Sequence, residues 1–141
     1  MLFKTESDGR PKIQQDWLTT QAPMKLRTFV AMLDVFIIAE TGEELVITDF
    51  LREHSDTLTY HDGRAIDYRI KDWPHHILVK IRIAARRLAH LINESTKDEP
   101  GELQVDFHSD WTDPEHEMYE QRHHHVECDD GNPVYIQEGD K

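Results

Sequence analysis

Two long apolar runs at helical spacing, each followed by two short runs of β-type residues, most restrict what this 141-residue chain can fold into. The first opens at Pro23 and sets Leu26, Phe29, Val30, Leu33, Phe36 and Ile37 on one side of a helix of about 15 residues, ended by the Thr41-Gly42 turn. The second follows Pro74, spans residues 75–93 and turns Ile77, Ile81, Ala84, Ala85, Leu88 and Ile92 inward, with Lys80, Arg82, Arg86 and Arg87 on its solvated side. Residues 45–50, 64–70, 103–107 and 124–128 read as strands. In the second of these the two-residue period puts Ala65, Asp67 and Arg69 on one face, and Ile66 and Tyr68 on the other. The order helix, strand, strand, helix, strand, strand predicts an α+β domain with a small, mainly antiparallel sheet packed with two main helices. Residues 1–22 read as a polar arm with at most a short helical piece around Trp17, residues 23–128 as the folded body and residues 129–141 as a polar tail.

A chain of this length suits one domain that buries a core without staples. The formal charge of −12 argues against a nucleic-acid partner, whose phosphates need clustered cations, and against adhesion to anionic polymers or membrane surfaces. Cys128 is the single cysteine, so the fold contains no internal disulfide. No apolar stretch approaches a membrane-spanning length, so no membrane insertion is expected. Residues 1–15 lack the apolar segment of a signal peptide, and the expected place of synthesis and folding is the cytoplasm. Of the ten histidines, His54, His75, His76, His90, His108 and His116 read as surface residues. The triplet His123-His124-His125 lies inside the sequence, ahead of Val126-Glu127-Cys128, and reads as native rather than as a tag.

The remaining histidines carry the chemistry. His61 is followed by Asp62-Gly63 and, six residues after the histidine, by Asp67. A turn at Asp62-Gly63 lets His61 and Asp67 approach one point from a loop and a strand. On the last strand His123 and His125 share a face, while His124 and Val126 take the other. One of these two same-face histidines can bind a metal with its partner beside it, and His61, Asp67 and His125 taken together make a candidate metal set of two nitrogens and one oxygen. Three protein ligands with an open fourth position describe a catalytic zinc site rather than a structural one.

These residues resemble a known family. His54-Ser55-Asp56-Thr57-Leu58-Thr59-Tyr60-His61-Asp62-Gly63-Arg64-Ala65-Ile66-Asp67 is similar to the zinc-binding segment Ser-x-His-x-x-Gly-x-Ala-x-Asp of the D-Ala-D-Ala metallopeptidases, the phage L-alanyl-D-glutamate endopeptidases and the hedgehog signalling domain, with Thr59 in place of the serine. Val46-Ile47-Thr48-Asp49-Phe50-Leu51-Arg52 resembles the strand ending in the family's Ser-Gly-Tyr/Phe-Arg, with Arg52 at its arginine. His123-His124-His125-Val126 matches its His-x-His-Val. The resemblance covers about residues 25–128 and implies a hedgehog/DD-peptidase-like fold.

By that resemblance His61, Asp67 and His125 hold Zn²⁺, His123 stands beside the bound water or oxyanion, and Arg52 faces the substrate. Family members carry an acidic base three or six positions before the last ligand, but Arg122 and Tyr119 occupy those positions here. Glu120 is the nearest acidic candidate for general base, with Glu117 behind it. The implied activity is zinc-dependent hydrolysis of peptide bonds in bacterial cell-wall peptidoglycan, of the D-Ala-D-Ala carboxypeptidase or L-Ala-D-Glu endopeptidase type. Without an export signal, the natural setting is a phage or prophage enzyme that reaches the wall during lysis or on a virion. The displaced base keeps open an alternative, a non-catalytic zinc-binding structural or interaction module of the same fold.

Overall fold

The structure, a computed structural model, describes residues 1–51 and 62–129. In chain order the elements are β1 (Leu2–Phe3), α1 (Lys12–Thr19), α2 (Met24–Thr41), β2 (Val46–Leu51), β3 (Asp62–Arg69), α3 (His75–Ser95), β4 (Glu102–Asp106) and β5 (His123–Asp129). Single-turn 3-10 helices at Ser109–Thr112 and Tyr119–Gln121 interrupt the link from β4 to β5. Pro23 and Pro74 stand at the N-caps of α2 and α3, where a residue without an N–H costs nothing because those first donors have no intrahelical acceptor. Gly42 ends α2 in the left-handed conformation and donates its N–H to the Ile38 carbonyl.

The five strands form one mixed sheet in the order β1-β2-β3-β5-β4. Among the described residues the fold is therefore α+β with three helices. Pairs β2–β3, β3–β5 and β4–β5 are antiparallel, as the sequence predicts, and β1 adds a short parallel pair beside β2. That parallel pair comes from the segment read as a polar arm. Within the same segment Trp17 of α1 meets Phe50 edge-on at 5.1 Å, and Ile13 and Ala22 are buried in the core. Two or three apolar side chains in a polar stretch carry too little periodicity to be recognised, yet they suffice to seat it.

One layer holds the core. Leu26, Phe29, Val30, Leu33 and Ile37 of α2 pack with Ile81, Ala85 and Ile92 of α3 and with Ile47, Phe50, Ile66, Tyr68 and Val126 of the sheet. In α3 the buried stripe also takes in Leu78 and Ala89, whereas Ile77, Ala84 and Leu88 are only half-buried. The helix is rotated from the predicted face because it packs on α2 and on β4 together. Among the described residues, no helix is long and apolar enough to cross a membrane.

Asp62 and Gly63 lie within β3 rather than in a turn before it. Asp49 pairs with Asp67 and Leu51 with Asp62, so two steps along β2 are matched by five along β3. The excess length is taken up as a strand irregularity, and Gly63 adopts a φ of 108° there. A residue without a Cβ accepts that backbone at little cost, which is a common use of glycine in bulged strands.

Candidate metal centre

β3 and β5 are neighbours in the middle of the sheet, with Asp67 opposite His125 and Arg69 opposite His123. The contacts of His124 fix which way the strand faces. Its Nδ1 lies 2.9 Å from the Tyr68 hydroxyl, its Nε2 lies 3.3 Å from Arg82 Nε on α3, and its ring packs on Phe107. His124 and Val126 therefore enter the helix layer. Alternation puts His123, His125 and Glu127 on the opposite face, beside Ala65 and Asp67. The face assignments read from the sequence hold on both strands.

On that opposite face the Asp67 carboxylate meets two imidazoles. Its Oδ1 is 2.8 Å from His125 Nδ1, and its Oδ2 is 3.4 Å from His123 Nε2. The second nitrogen of His125, Nε2, is 3.1 Å from Glu127 Oε1. Burial lowers the pKa of His125, but hydrogen bonds to Asp67 and Glu127, with their charges, outweigh it and raise the pKa to about 9. The ring is thus a buried cation clamped between carboxylates at neutral pH. His123 is oriented from behind: its Nδ1 donates to the Gln121 carbonyl at 2.9 Å, which turns Nε2 toward Asp67.

An aromatic wall borders the cluster. His108 stacks on Trp111 with centroids 3.9 Å apart, and His123 stands edge-on to both rings. His108 is not the plain surface residue read from the sequence; it is half-buried and has a φ of 45°. Burial first, then the charges of His123 and His125, lower its pKa against the opposing pull of Asp106 and Asp67. His75, His76 and His90 are exposed, in keeping with their surface reading.

Of the expected site residues, the fold brings together Asp67, His123 and His125. His61 and Arg52 lie outside the described residues, as does His54. Glu120 is exposed on the Tyr119–Gln121 turn, and Glu117 is exposed nearby in sequence. Among the described residues no group of three or more histidine, cysteine or acidic side chains has metal-holding geometry. The donors that are present nevertheless suit zinc chemically. Imidazole nitrogen and carboxylate oxygen are its ordinary partners. A proton held between Asp67 and His125 is also the charge that a bound divalent cation displaces from such a pair.

Glu127 and Trp111 were not anticipated. The two-residue period that pairs His123 with His125 extends to Glu127, so its place on this face was available from the spacing. No comparable signal marks Trp111. No family model, curated protein or solved structure matches the chain.

Proposed function

We propose that this chain is a zinc-dependent peptidase of the hedgehog/D-Ala-D-Ala metallopeptidase kind that hydrolyses peptide bonds of bacterial peptidoglycan, in a phage or prophage setting. The observation that carries the reading is the Asp67 carboxylate set against His125 and His123 on adjacent central strands. Two motifs 58 residues apart in sequence, matched on their residue types alone, meet at one carboxylate.

In this reading His61, Asp67 and His125 hold zinc. Bound zinc supplies a Lewis acid and lowers the pKa of a water from 15.7 toward ~7. Glu120 takes the proton of the attacking water and passes it to the leaving amine. His123, held by the Gln121 carbonyl, presents Nε2 toward the reacting centre and stabilises the negative charge that develops on the carbonyl oxygen. Arg52 grips the substrate carboxylate or the same oxyanion. The wall formed by Trp111 and His108 keeps one side of the site apolar and sheds water from it.

The test joins metal analysis with hydrolysis. Protein purified without a histidine tag should carry one zinc per chain and release new amines from purified peptidoglycan. Asp67→Ala should lose most of the zinc, while the exposed His76→Ala should keep it. Glu120→Gln should keep zinc and fold but lose roughly 10²–10⁴-fold in rate, because an amide cannot take the proton. Equal zinc in the Asp67 and His76 variants would overturn the metal assignment. A zinc-loaded native protein that cleaves neither peptidoglycan nor D-Ala-containing peptides would leave a non-catalytic zinc module of the same fold.

A further inference from the structure

We infer that Glu127 is a positioning residue for the metal centre: its carboxylate holds His125 Nε2–H and so presents the Nδ1 lone pair to the site shared with Asp67. The inference rests on the zinc reading above and adds a residue to it.

An imidazole can approach a cation through either nitrogen, and the other nitrogen then carries the proton. Which nitrogen binds is set by what accepts that proton. In this protein the two sides of the His125 ring are unlike. Nδ1 faces Asp67, on the neighbouring central strand and on the side where His123 also points. Nε2 faces Glu127, two residues further along β5 itself. Glu127 shares the strand face of His125, so the 3.1 Å hydrogen bond fits the ordinary pleat and needs no local distortion.

Burial sharpens the choice. The side chains of His125 and Asp67 are 6% and 5% exposed, and that of Glu127 is 19% exposed. A ring rotated by half a turn about Cβ–Cγ would put Cδ2 and Cε1 where Nδ1 and Nε2 now stand, and so would lose the hydrogen bond to Glu127. It would also break a 2.8 Å contact in a place where water cannot easily replace it. Glu127 thus favours a single ring orientation. Its negative charge also makes the imidazole a better electron donor. Carboxylates placed behind metal-binding histidines have this effect, and losing one weakens metal affinity by about 10–100-fold. Glu127 does not touch the reacting atoms in this account; it acts through His125.

The test uses full-length, tag-free protein and zinc alone as the probe. Zinc affinity is read by competition with a chromophoric chelator in the native chain, in Glu127→Met, which keeps bulk without an acceptor, and in Glu127→Gln, which keeps a carbonyl acceptor. Glu127→Met should bind zinc about 10–100-fold more weakly, and Glu127→Gln should recover most of that loss. Long-range ¹H–¹⁵N spectra of the zinc-loaded native protein should show the His125 proton on Nε2. Glu127→Met binding zinc as tightly as the native chain would overturn the inference while leaving the zinc reading intact. So would a proton found on Nδ1, a result that needs no variant to fold. A native chain that binds no zinc would remove both.

Discussion

His124 and His125 are adjacent in sequence and opposite in electrostatic fate, because a strand sends neighbours to opposite faces. His125 sits between two carboxylates and is held as a cation. His124 enters the helix layer, where Arg82 Nε–H donates to its Nε2, so its own proton is on Nδ1 and is donated to the Tyr68 hydroxyl. Burial, followed by the charges of Arg82, His123 and His108, lowers its pKa to about 2. The signs of the two linkages differ. The unfolded chain takes up a proton at His124 near pH 6.5 and the folded chain only near 2, so this residue withdraws stability as pH falls through that interval. His125 contributes stability that is complete below pH 6.5 and is lost as pH rises through about 9. In chelated protein the urea midpoint should fall on both sides of this neutral region. His124→Phe should flatten the acid side in particular. An acid limb unchanged in that variant would show that other groups control it.

At the scale of elements, the loop from α3 into β4 depends on one backbone conformation. Gly101 has a φ of 92°, and a Cβ placed on it would stand 2.5 Å from the Cys128 sulfur and 3.5 Å from the Asp129 carbonyl oxygen. The buried Lys25 ammonium donates to the Gly101 carbonyl at 2.7 Å, tying the start of α2 to the same loop. Gly101→Ala should therefore cost about 1–3 kcal/mol, read as a lower urea midpoint with an unchanged slope. Loss of no stability would mean that the loop relaxes without disturbing Lys25 or β5. This position also separates what could be read in the sequence from what could not. The helices and strands were legible because apolar spacing records which face is buried, and Asp67, His123 and His125 followed from that same alternation. Gly63 was legible only as a glycine, since a turn and a strand irregularity both call for positive φ. His108 was misread because its backbone conformation and its stacking on Trp111 depend on how the link from β4 to β5 folds back, a tertiary fact with no period. α1 was faint because its few buried residues are spread among polar ones.

At the scale of the whole molecule, the cluster of Asp67, His123 and His125 and the core occupy opposite faces of the sheet. Leu26, Phe29, Ile81, Ile66 and Val126 are fully or almost fully buried without any help from the polar face. Chelation should therefore leave far-ultraviolet circular dichroism mostly unchanged, unlike a zinc finger, whose folding free energy is largely metal binding. Collapse of the helical signal on chelation would mean that the metal is structural. The sheet order has another result, at its two ends. Open sheet margins invite copies of a protein to join strand to strand, and such growth needs a long, flat, uncharged template. Here one margin is β1, only two residues long. The other is β4, whose exposed Glu102, Gln104 and Asp106 alternate with its core residues. In a chain of net charge −12, each copy brings acidic side chains to the strand where another would have to dock. The sheet therefore discourages its own extension into fibres at both margins.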